Sequence, residues 1–104
     1  MGRARRPQPN RIAEKIAEVR QKLGLSQNGM IRRMGLADEL TQAEISAFER
    51  GIRVPPLPVL LKYAKTSNVF LEVLVDDELN LPSKLPSPMK HEGIKRLIAS
   101  RGKR

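Results

Sequence analysis

An all-α domain of five short helices is the fold class this sequence predicts, and three observations carry it. Apolar residues recur at spacings of three and four through most of residues 12–75, which places them on one face of successive helices. Four of these runs are bounded by a capping residue or proline pair in front and by Gly or Asn behind. No stretch alternates apolar and polar residues as a half-buried strand would, and there is no internal repeat or glycine-rich phosphate loop.

The elements follow in order. Pro7 and Pro9 exclude a helix before Asn10, which is expected to cap one beginning at Arg11. Ile12, Ile16, Val19 and Leu23 form its buried face, and Gly24 stops it. Ser26 caps the second helix, with Leu25 and Met30 spaced as a hydrophobic staple; Met30, Ile31 and Met34 are its core residues, and Gly35 ends it. Gly29 weakens this helix by about 1 kcal/mol relative to Ala. Thr41 and Glu44 have capping-box spacing, and Leu40 and Ile45 that of a second staple, so a third helix of about ten residues is expected from Thr41. Ile45 and Phe48 face the core, Gly51 terminates the helix, and Pro55 and Pro56 prevent its resumption. Leu57, Leu60, Leu61 and Ala64 give a fourth stripe, and Leu71, Leu74 and Val75 a fifth after Asn68. From Asn80 the prolines of LPSKLPSPMK exclude a helix, although Ile94, Leu97 and Ile98 recur at amphipathic spacing. The expected organisation is a basic arm over residues 1–10, a helical domain over 11–79 and a proline-rich basic tail over 80–104, compact only in the middle.

Charge is distributed by segment. Residues 1–11 hold four Arg and no acid, residues 84–104 hold seven bases against Glu92, and residues 12–83 balance nine bases against ten acids. A near-neutral body with two basic ends points to a polyanionic partner, since Lys and Arg near phosphates release condensed counterions; solubility alone is the plainer explanation of the charge. The absence of cysteine excludes disulfides and thiolate metal sites, and no apolar run approaches the roughly 20 residues of a membrane span. The N-terminal residues MGRARRPQPN lack the apolar core of a signal peptide, so a cytoplasmic location is expected. His91 has no second histidine to share a metal, and Asp76, Asp77 and Glu78 read as solvated acids after a helix; neither an enzymatic site nor a cofactor is expected.

Two short capped helices joined by a turn, the second with Gln42, Ala43, Ser46 and Ala47 on its outer side, are the parts of a helix-turn-helix. Together RQKLGLSQ (20–27), ISAFERG (45–51) and PVLLKYAKTSNV (58–69) resemble the phage-repressor and Cro type (XRE-like) helix-turn-helix family over roughly residues 12–79. The resemblance implies a five-helix bundle that binds double-stranded DNA, usually as a dimer. It implies base contacts by Gln42, Ala43 and Ser46, a phosphate contact by Gln27, and a structural ion pair between Arg20 and Glu49. The residue chemistry agrees: Gln pairs bidentately with adenine, Ser bonds either kind of base edge group, and an Ala methyl packs on thymine. Arg32, Arg50 and Arg53 are further candidates for phosphate contacts. Arg3, Arg5 and Arg6 make the arm either a minor-groove reader or a nonspecific tether.

Two features depart from the family pattern. Gly35 to Ile45 spans ten positions, about four more than usual, and Ile31 stands where a small residue is common. A bulkier contact between the two helices needs wider spacing, which a longer turn supplies. Phe70 takes a helix-capping place where Ser or Thr is usual, so it is expected either to lie exposed with Val73, Leu79, Leu81 and Leu85 as a homodimer contact, or to fold under its own tail. The expected function is a sequence-specific transcription regulator acting as a repressor by operator occupancy. The alternative is a protein-interaction adaptor or antitoxin-like partner protein on the same fold. RNA binding is disfavoured, with only Phe48, Tyr63 and Phe70 available for stacking.

Overall fold

Ser26 and Thr41 set the two sharpest boundaries in the chain. The Ser26 Oγ accepts from the Gly29 N–H at 2.9 Å, and Thr41 and Glu44 form a complete capping box, with Thr41 N–H donating to Glu44 Oε1 at 2.9 Å. The computed structural model describes residues 9–86. Its five helices are α1 (Ile12–Lys22), α2 (Gln27–Met34), α3 (Gln42–Glu49), α4 (Leu57–Ser67) and α5 (Leu71–Val75), and no strand occurs among the described residues. The fold is all-α. The third helix begins one residue later than expected and is eight residues long, because Thr41 is in extended conformation as the cap itself.

Ile12, Ile16, Val19, Met30, Ile31, Met34, Ile45, Phe48, Leu60, Tyr63 and Leu74 meet in one core. α3 packs on α1 and α2, whereas α5 packs on α4 and α1, so the third and fifth helices lie on different sides of α1. The long turn between α2 and α3 is anchored rather than loose. Leu36 is buried within it, and the Glu39 and Leu40 N–H groups both donate to the Leu36 carbonyl. Ile31 is buried at the helix junction beside that turn.

Three expectations are corrected. Asn10 does not cap α1: the cap position is Arg11, which makes no side-chain capping bond. Asp77, from beyond α5, does the work instead, its carboxylate accepting from the N–H groups of Asn10 and Arg11 at 2.8–3.1 Å. These backbone hydrogen bonds, first that from Asn10, hold the Asp77 pKa below the usual carboxylate value. Asp77 is therefore a helix-terminus ligand and not a bystander in an acidic run. On α4, Leu57 and Leu61 are exposed while Val59, Leu60, Tyr63, Ala64 and Ser67 are buried. The stripe through Leu60 and Ala64 is shared, but the helix is rotated toward Val59 and Tyr63, so the Leu57–Leu61 edge faces out.

Lys15 is the third. It sits at helical spacing inside the apolar face of α1, between Ile12 and Val19, and is fully buried. Its ammonium donates to the carbonyls of Val73, Asp76 and Leu79 at 2.7–2.8 Å, which occupies all three of its donors. Burial, and then the nearby Arg11 charge, push its pKa down. The carbonyls at the end of α5 supply the compensation that lets the charge stay there. Arg11 and Lys22 extend the pattern along α1: Arg11 donates to the Asp77 carbonyl and Asn80 Oδ1, and Lys22 to the Ser83 carbonyl. Residues 80–86 thus run along the body, with Leu81 and Leu85 packed on the core and the Pro86 carbonyl accepting from Asn68 Nδ2 at 3.2 Å.

Asp77→Asn is expected to lower Tm at pH 7, because the charged acceptor at the start of α1 is lost. Since folding depresses the Asp77 pKa, its contribution is full above the ordinary carboxylate pKa and disappears as pH falls through the lower folded value. Thermal melts from pH 7 to pH 2 should accordingly show the two proteins converging in acid.

Candidate nucleic-acid interface

Glu49, in the last turn of α3, has a side chain only 8% exposed and uses both oxygens. Arg20 Nε donates to Oε2 at 2.7 Å and Arg20 Nη2 to Oε1 at 2.9 Å, a two-pronged pair that joins α1 to α3. The remaining Arg20 nitrogen, Nη1, donates to the Leu25 carbonyl just before α2. The Arg20 pKa is raised, chiefly by the hydrogen bond to Glu49. Tyr63 is fully buried near enough to feel both charges; burial, followed by the Glu49 charge, pushes its phenol up, and its hydroxyl has no hydrogen-bond partner among the described residues.

The pair continues outward. Gln27, the first residue of α2, donates from Nε2 to Glu49 Oε1 at 3.2 Å, and Gln42, the first residue of α3, donates from Nε2 to Gln27 Oε1 at 3.2 Å. A carboxylate only accepts, so Glu49 draws the Gln27 amide nitrogen toward itself and turns the Gln27 oxygen toward Gln42. Gln42 in turn points its nitrogen inward. Its oxygen and its second N–H make no hydrogen bond among the described residues, one acceptor beside one donor on an exposed residue. That is the pattern needed for a bidentate contact with an adenine edge.

Around this relay the other residues named from the sequence take separate places. Ala43 is exposed beside Gln42 in the first turn of α3. Ser46 is half-buried, and its hydroxyl accepts from Arg50 Nε at 3.1 Å, which ties Arg50, at the cap of α3, back over the helix. Arg32 is exposed in the last turn of α2. Arg53 is exposed after α3 and lines a shallow cleft with Pro9, Asn10, Val54 and Pro55, so the root of the N-terminal arm lies next to it. Arg3, Arg5 and Arg6 lie outside the described residues, as do His91 and most of the basic tail. Phe70, at 66% exposure, caps α5 without a side-chain bond, on the side of α1 away from α3.

The sequence did not disclose the relay through Gln27. Two glutamines each opening a helix, 15 positions apart, were its only trace. Among the described residues no group of three or more His, Cys, Asp or Glu is placed to hold a metal ion, and no helix is long and apolar enough to cross a membrane.

Glu49→Ala should destabilise the fold by about 3 kcal/mol, since it leaves the half-buried Arg20 charge unpaired. Gln42→Ala, at an exposed position, should stay within about 0.5 kcal/mol of wild type. Paired urea titrations measure both, and equal effects would remove the structural role of the ion pair.

The profile of the helix-turn-helix family matches residues 16–70, from the buried Ile16 of α1 to Phe70 at the cap of α5, which is more than half of the chain. No curated protein and no solved structure matches it. With α2 and α3 as its two-helix unit and Gln27 and Gln42 at their outward ends, the chain belongs to the Cro/XRE-type helix-turn-helix family of DNA-binding regulators.

Proposed function

We propose that this protein is a sequence-specific transcription regulator that represses by occupying an operator in double-stranded DNA, with α3 as the reading helix. The observation that carries the reading is the placement of Gln42. It is exposed, seated on a fully capped helix, and held by a hydrogen-bond relay that ends on a buried ion pair. Such preorganisation lowers the ordering cost of a base contact. Ala43 supplies a methyl group for a thymine next to it, and Ser46 shares its hydroxyl between a base edge and Arg50.

Gln27, Arg32, Arg50 and Arg53 contact phosphates around this face, and Arg3, Arg5 and Arg6 extend the contact from the arm root beside Arg53. The reaction needed is occupancy alone, so no enzymatic activity or cofactor enters the proposal. The protein acts in the cytoplasm, where the DNA is, as a homodimer. Support for the dimer comes from Phe70, a large exposed aromatic on the side of α1 away from α3. A two-fold contact there leaves both reading helices free to face DNA.

Selection of bound sites from a random duplex pool tests the main proposal. The selected site should bind at least about 1,000-fold more tightly than random duplex, and equal binding to both would refute base reading. On that site Gln42→Ala should change preference at one or two positions per half-site. Arg53→Ala should weaken every sequence alike and lower the slope of log affinity against log salt by about 1. Sedimentation over micromolar concentrations, free and on a duplex with two half-sites, should show a dimer for wild type and a shift to monomer for Phe70→Ser. A monomer under both conditions would exclude the dimer.

A further inference from the structure

α4 carries an uncovered apolar edge. Leu57 is 63% exposed and Leu61 41%, and they stand four apart on one side of the helix, turned away from the buried face of Val59, Leu60, Tyr63 and Ala64. Asn68 is the left-handed residue that ends α4, about two helical turns beyond Leu61. The side chain of Asn68 holds the Pro86 carbonyl, so the described part of the chain stops at the foot of this edge.

We propose that the segment around Ile94, Leu97 and Ile98 of the same chain covers the Leu57–Leu61 edge. Its three apolar residues recur at spacings of three and four, which presents them together against a helix edge, while Lys95 and Arg96 fall off that face. Reach permits the contact. Seven residues separate Pro86 from Ile94, and the eight steps between them span up to about 26 Å, whereas the 11 residues of α4 extend about 16 Å from the Asn68 end. Apolar contact and not charge provides the attraction, since the neighbouring Lys62 and Lys65 of α4 repel Lys95 and Arg96. Added salt therefore strengthens it. Phe70 is not part of this contact, so the proposal is independent of the dimer.

The test uses the 104-residue chain, which has no cysteine of its own, with a spin label on Ala99→Cys. The methyl resonances of Leu57 and Leu61 should lose more than half their intensity in the labelled chain, and lose more at 0.5 M than at 0.1 M salt. Leu97→Asp should restore them, as should Leu61→Asp for Leu57, and the unlabelled spectra of both variants show whether the fold is kept. An equimolar mixture of spin-labelled, NMR-silent chain with unlabelled, NMR-active chain should show no loss. Absence of broadening in the labelled chain, broadening only in the mixture, which would mean a second copy, or weakening by salt would each overturn the proposal.

Discussion

A single buried carboxylate organises the outer face of α2 and α3, the face proposed to meet DNA. Glu49 accepts from the guanidinium of α1 and from the first side chain of α2 while belonging to α3, so three helices share one acceptor. Each partner is satisfied only if the others are in place. The tilt of α3 and the heading of the Gln27 amide are thereby one geometric problem and not two. Helix propensity alone leaves α3 undetermined, since an isolated helix of eight residues is marginal in water.

Much of this was legible in the sequence, and the reason is chemical locality. Ser26, Thr41 with Glu44, Gly35 and Gly51 act within one turn of themselves, so their roles can be read from neighbours alone. Interactions between distant segments were less visible. Asn10 looked like the cap of α1 because it precedes the apolar run, but the acceptor came from Asp77, 67 positions away. Lys15 went unremarked because periodicity tests hydropathy, and a lysine whose three donors all meet carbonyls is hydropathically invisible. Leu57 and Leu61 were assigned inward because spacing identifies a stripe but not the rotation of the helix about its axis. The candidate base-contact residues could be named from a resemblance, yet the bonds that link Gln42 to Gln27 and Glu49 emerged only from the fold.

The balance of charge in the body takes on a different meaning once these bonds are drawn. Arg11, Lys15, Arg20 and Lys22 all lie at the start of or along α1, and every one donates to another part of the fold. These cations are structural. Arg32, Arg33, Arg53, Lys62 and Lys65 are exposed and have no ion pair among the described residues, so the free cations of the body lie outside α1. A near-neutral helical body and a strongly basic chain are consistent because the two properties reside in different segments.

The clasp at the root of the arm has a mechanical consequence. Asn10 and Arg11 are held by Asp77, and the Arg11 side chain bonds the chain beyond it at Asp77 and Asn80. Tension on residues 1–9, as when Arg side chains are drawn along a phosphate backbone, reaches α1 through a junction already fastened to the other end of the domain. The load divides between two covalently distant strands of polypeptide. The first turn of α1, which in most helices frays first, is thereby shielded from peeling.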